Sequence, residues 1–182
     1  RPRRPVLFAA LTGEEKGLIG ADYLARNPVV AAGGGKVISV VNFDMPILTY
    51  RFTDVIAFGA ENSTLGPLVA SAAGRAGITL SPDPMPEEGL FTRSDHYRFV
   101  QQGVPSVFLM TGFAGPGEAA FRSFLATNYH RPSDDLKQPF DWVAGAKFAE
   151  VNYHIVRAIA DADAAPRWYA GNFFGNEFAA GA

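Results

Sequence analysis

Cysteine is absent from this 182-residue chain. Its absence excludes a disulfide framework and a thiolate metal site, so any bound metal must be held by His, Asp or Glu. It is compatible with every cellular compartment. Also missing is any run approaching the ~18 apolar residues that a membrane span needs. No charge of one sign dominates: 16 Lys and Arg against 18 Asp and Glu give a formal net charge of −2. Neither nucleic acid nor an anionic membrane surface is therefore expected as a partner. The single basic cluster, Arg1-Pro2-Arg3-Arg4, reads as a solvated end. Histidine is scarce, with only His96, His130 and His154. The first residue is not Met, and a strand is expected almost at once, which reads as a processed or truncated chain.

What is present suits one globular domain. Hydrophobic residues make up 48% and charged residues 19%, enough for a substantial core in a chain of this length. Apolar runs predict strands over Val6 to Leu11, Lys36 to Phe43, Asp54 to Phe58 and Val104 to Met110. Val37-Ile38-Ser39-Val40-Val41 is the β-branched kind of run found in strands covered on both faces. Helices are expected over Glu14 to Arg26, Ser63 to Ala76 and Ser94 to Gln102. A last helix carries Ala144, Phe148, Val151, Ile155, Ala158 and Ala162 in one stripe at helical spacing. His154 falls opposite that stripe, with Lys147, Glu150, Arg157 and Asp161, as a solvated surface residue. Ser81 to Gly89 and Gly112 to Glu118 read as loops. The aromatic tail Arg167 to Phe178 has no period, and either packs back on the body or contacts a partner. Strands alternating with helices predict an α/β domain with a parallel or mixed sheet between helical layers, its functional groups at the carboxyl ends of strands.

Four places carry residues capable of chemistry. Glu14 and Glu15 follow the first apolar run, and adjacent helical residues project about 100° apart, so the two carboxylates have different jobs. A plainer reading competes: Thr12 and Glu15 have capping-box spacing, with Glu14 an ordinary first-turn acid. Asp44 lies at the carboxyl end of the strand expected over Lys36 to Phe43, where a carboxylate needs a partner or a cation, though it also suits a turn before Met45-Pro46. Ser94, Asp95 and His96 mark a helix start, with Ser94 as its N-cap. Three consecutive side chains cannot form a relay with one another, and no G-x-S-x-G elbow is present. His130 lies in a loop before Pro132 and an acidic turn. Brought to one sheet edge, Glu14, Glu15, Asp44 and His130 form a donor set suited to zinc with an open position. A spare glutamate there could deprotonate a metal-bound water.

In four motifs the chain resembles the di-zinc aminopeptidases of the aminopeptidase Y and bacterial secreted type. They are Leu11-Thr-Gly-Glu-Glu-Lys-Gly-Leu-Ile-Gly20, Asn42-Phe-Asp-Met45, Arg93-Ser-Asp-His96 with Gly103-Val-Pro-Ser106, and Tyr129-His130 followed by Pro132-Ser-Asp134. The resemblance implies a three-layer αβα zinc-exopeptidase fold lacking its N-terminal strands, and secretion or a periplasmic location. It implies Glu14 as general base and Tyr129 as stabiliser of the tetrahedral intermediate. Glu15 and His130 would share one zinc and Asp44 would bind the other. Met45 and Arg93 would meet the peptide substrate, with Asp95 and His96 as support nearby.

The family pattern also needs a histidine and a metal-bridging aspartate upstream of Thr12-Gly13-Glu14-Glu15, and no residue here occupies those places. The chain alone is therefore expected to bind zinc weakly and to be inactive, with an exposed sheet edge favouring self-association. Two other readings stay open: a glutaminyl cyclase on the same scaffold, and a peptidase-like binding module without catalysis.

Overall fold

The computed structural model describes residues 1–29 and 35–179. Its centre is a four-stranded mixed sheet of β1 (Val40–Phe43), β2 (Asp54–Phe58), β3 (Thr79–Ser81) and β4 (Ser106–Thr111), in the order β1-β4-β2-β3. β1 and β4 are parallel, β4 and β2 antiparallel, and β2 and β3 parallel. Every residue of β2 and β4 is buried. Since successive side chains point to opposite faces, the centre of the sheet is covered on both sides. The cover comes from helices: α1 (Ile19–Arg26) packs with α3 (His96–Val100), and α3 lies against β1 and β4. α2 (Leu65–Arg75) packs with α5 (Trp142–Asp161) and lies against β2 and β3. The fold is thus the expected αβα sandwich.

Packing follows the sequence pattern. Ala144, Phe148, Val151 and Ile155 of α5 are buried, and Phe148 meets Phe52 edge to face at 6.0 Å. Phe58 and Phe108, opposite each other on β2 and β4, lie 5.4 Å apart. Each fully buried large side chain of this kind contributes roughly 1.5–3 kcal/mol. Asp141 caps α5, its Oδ1 accepting from the Val143 and Ala144 amides at 2.9 and 3.1 Å. The one buried carboxylate of the sheet, Asp54, accepts from the Ser81 hydroxyl at 2.7 Å and the Ala114 amide at 3.2 Å, which meets the requirement that buried charge be hydrogen-bonded.

Several expectations are corrected. Val6 to Leu11 forms no strand; the side chains of Val6 to Ala10 stand in solvent, with Phe8 88% exposed. β1 is an edge strand, and among the described residues no ladder partner meets the Val6 segment, so its β propensity goes unused. The strand expected from Lys36 is regular only from Val40. The helix expected from Glu14 is broken at Gly17-Leu18, leaving one 3₁₀ turn, Glu14–Lys16, ahead of α1. The loop expected to Glu118 ends in a helix not foreseen, α4 (Gly117–Thr127). The aromatic tail packs back on the body: Trp168 Nε1 donates to the Gly103 carbonyl at 2.8 Å. There α6 (Phe173–Phe178) sets Phe174 5.0 Å from Phe91.

Candidate active site

Three arms and the start of α3 build the site. The first arm is the turn Gly13 to Leu18. Its shape needs left-handed backbone at Gly13 (φ 70°), Gly17 (φ 101°) and Leu18 (φ 59°), and glycine meets that demand at two of the three positions without strain. Gly20 has a different reason: a Cβ there would lie 2.6 Å from the Thr12 carbonyl oxygen. That absent side chain lets α1 seat against Thr12, with the Gly20 amide donating to the Thr12 carbonyl at 2.9 Å. The glycine spacing of the first motif is therefore what bends the chain so that Glu14 and Glu15 sit in one short turn. No side chain caps this turn, which removes the capping-box reading of Thr12 and Glu15.

Asp44 directly follows β1. Its Oδ2 accepts from Ser94 Oγ at 2.7 Å, and Ser94 Oγ in turn accepts from Asn42 Nδ2 at 2.8 Å. Ser94 is 3% exposed, so its hydroxyl is a fixed post between strand and helix. It does not serve as the N-cap of α3, a place taken by Asp95. The third arm follows α4. Asn128 Nδ2 donates to the Ser133 carbonyl at 2.8 Å and Ser133 Oγ donates to the Thr127 carbonyl at 2.9 Å, closing a loop that presents Tyr129 and His130. Met45 (φ 33°) and His130 (φ 56°) complete, with Leu18, the set of non-glycine residues with positive φ among the described residues. All three flank or belong to the arms, and such strain persists where surrounding structure over-determines it.

The arms converge. His130 Nε2 lies 2.6 Å from Glu15 Oε1, and the Tyr129 and His130 rings stack with centroids 3.8 Å apart. Partial burial, then the charges of Asp44, Glu15 and Asp95, push the Glu14 carboxyl above its ordinary range, against a smaller opposing pull from His130. Burial and then Asp44 raise Asp95, whose Oδ1 is buried without a hydrogen-bond partner among the described residues. Burial and the Glu15 charge raise the Tyr129 phenol, while Arg93 opposes. These mutual influences place Glu14, Glu15, Asp44, Arg93, Asp95, Tyr129 and His130 in one electrostatic neighbourhood. Arg93 is also ion-paired with Glu88 at 3.6 Å, and Met45 is half-buried beside Asp44. His96 departs from this group. It is fully buried, its ring packs on Phe91 and Phe108, and its Nε2 bonds the Phe91 carbonyl at 2.6 Å. His96 anchors α3 to the core, and only Asp95 of that pair faces the acids. Ser94, expected as an N-cap, instead holds Asp44, and Asn42, to which the sequence reading gave no role of its own, holds Ser94.

The donor types suit zinc, but their arrangement does not close a zinc site. Among the described residues no three His, Asp or Glu side chains converge closely enough to hold an ion. Glu15 and His130 are satisfied by each other, and Asp44 is turned to Ser94.

A family model for peptidase family M28 matches residues 1–156. The chain belongs to peptidase family M28. Among solved structures, the LapA aminopeptidase of Legionella pneumophila shares the M28 chain's fold, with TM-score 0.53 and 17% identity over 85% of this chain and 38% of that one. An aminopeptidase from Aneurinibacillus sp. strain AM-1 is 21% identical over 86% of this chain and 32% of that one, with TM-score 0.48. The M28 chain thus spans about a third of the length of these solved chains. No curated protein matches it.

Proposed function

We propose that this M28 chain carries the acid–base part of an aminopeptidase site that hydrolyses N-terminal residues from peptides. The observation that carries the reading is the convergence of the Glu14–Glu15 turn, Asp44 and the Tyr129–His130 loop on one sheet end. Glu14 is the general base. Burial and three neighbouring carboxylates raise its proton affinity, which suits it to take a proton from the attacking water and return it to the leaving amine. Tyr129, kept protonated by burial and Glu15, donates to the oxyanion of the tetrahedral intermediate. His130 fixes the carboxylate of Glu15, and Ser94 fixes that of Asp44. The family resemblance implies zinc, whose chemistry when bound would be to polarise the scissile carbonyl and the water; among the described residues no three donors converge to hold it.

The test is Glu14→Gln in the native protein that carries these residues, assayed with aminoacyl anilides in the presence of zinc. Turnover should fall at least ~100-fold, the usual scale for losing a positioned base, with unchanged thermal stability. Retained turnover rejects the base assignment. The mutual pairing of Glu15 and His130 also favours a second reading, a peptidase-like module that binds peptides without cleaving them. In that case the unsubstituted protein would bind an N-terminal peptide and show no turnover with zinc.

A further inference from the structure

The Glu14–Glu15 turn is exposed on its outer side and is tied down by a residue that no motif singled out. Arg98, on α3, donates from Nη2 to the Gly17 carbonyl at 3.0 Å and from Nη1 to Gln101 Oε1 at 3.0 Å. Gly17 closes the 3₁₀ turn, its amide bonded to the Glu14 carbonyl at 3.0 Å, and the Leu18 amide reaches the same oxygen at 2.8 Å. Among the described residues no other side chain donates to the main chain of Gly13 to Leu18. Four residues before Arg98, just ahead of the same helix, Ser94 holds Asp44 at 2.7 Å.

We infer that Arg98 is a positioning residue of the site: it fixes the turn bearing Glu14 and Glu15 to α3, so that this helix sets the spacing between that turn and Asp44. Two anchors four residues apart in the chain, Ser94 just ahead of α3 and Arg98 within it, hold two acidic arms that arrive from different parts of the chain. A charged guanidinium donating to a carbonyl makes a stronger tie than a neutral donor, and its second branch, to Gln101, fixes the rotamer. Release of the tie leaves a turn with three left-handed residues free to drift, and the Glu15–His130 pair loosens with it. The inference rests on the reading of this turn as the working part of the site, and it concerns geometry rather than turnover.

The experiment uses the imidazole ¹⁵N resonances of the three histidines at pH 8, which report their partners without any activity. Arg98→Met keeps the aliphatic stem packed and removes the donors. Its expected result is a shift of the His130 Nε2 resonance by several ppm, with His96 and His154 unmoved and the melting temperature little changed. Arg98→Lys retains one donor and should return His130 most of the way to its original position. An unmoved His130 in Arg98→Met overturns the inference. So does joint movement of His96 and His130, which would assign Arg98 to the integrity of α3 alone. Failure of the peptidase reading would appear instead as absent turnover with the His130 shift intact.

Discussion

At the scale of single residues, His96 shows what full burial does to a titratable ring. It lies between Asp95 and Tyr97, near a catalytic-looking Arg-Ser-Asp, yet its ring is wholly buried against Phe91 and Phe108. Because a carbonyl only accepts, the bond to Phe91 requires the proton on Nε2, leaving Nδ1 bare and without a partner among the described residues. Burial pushes its pKa down from 6.5 to about 4, the bond to Phe91 opposing more weakly. The sign of the consequence follows from proton counting. Between those two values the unfolded chain binds a proton at this site and the folded chain does not, so stability rises with pH there. The contribution is complete above about pH 6.5 and is lost as pH falls toward 4, in all roughly 3 kcal/mol. Urea unfolding from pH 4 to 7 should show this slope. His96→Phe should flatten it, at some cost in overall stability from the unbonded Phe91 carbonyl. An unchanged slope in that variant would assign the acid sensitivity to other groups.

At the scale of elements, the legible parts were those whose signal is local and periodic. The buried stripe of α5 and the β-branched run ending in β1 follow directly from side-chain spacing. Glu14, Glu15, Asp44 and His130, proposed as site residues from their motifs, are brought into one neighbourhood by the structure. The turn that carries the first two was not legible. A pattern continuous from Glu14 to Arg26 reads as one helix, whereas Gly17 and Leu18 take left-handed backbone and split it. The glycines were visible, but their separate tasks depend on contacts formed only in three dimensions. Helix α4 escaped because the Gly112 to Glu118 composition suggests a loop, and Phe121 is buried by tertiary packing against Phe113. The role assigned to Gly20 is open to a direct check. In Gly20→Ala the new Cβ would sit 2.6 and 2.8 Å from the Thr12 carbonyl oxygen and amide nitrogen, backbone atoms that cannot swing aside. Overpacking of this kind costs about 1–3 kcal/mol, so calorimetry should show the melting temperature down by several degrees. A variant as stable as the original would mean that α1 does not rest on Thr12 as described.

At the scale of the whole molecule, the sheet's centre and its margin differ sharply. β2 and β4 are buried throughout, whereas β1 is an edge strand whose Phe43 is 49% exposed. Leu7 and Phe8 are 57% and 88% exposed in a segment with strong β character, and Ile19 and Tyr23 stand one turn apart on the outer side of α1. Exposed apolar groups scattered singly need no explanation, but adjacent ones make a surface that water wets poorly. The measurable consequence is binding of an apolar dye by the folded protein. Leu7→Ser with Phe8→Ser should lower the dye fluorescence clearly. Because these side chains contribute little to the core in this structure, stability should stay within about 0.5 kcal/mol, the range typical of surface substitutions. The two readings together separate surface from core: a large loss of stability would show that Leu7 and Phe8 are buried in solution. Unchanged fluorescence at unchanged stability would place the dye-accessible surface elsewhere, and the expected difference between the sheet's centre and its margin would then have no solution counterpart at this segment.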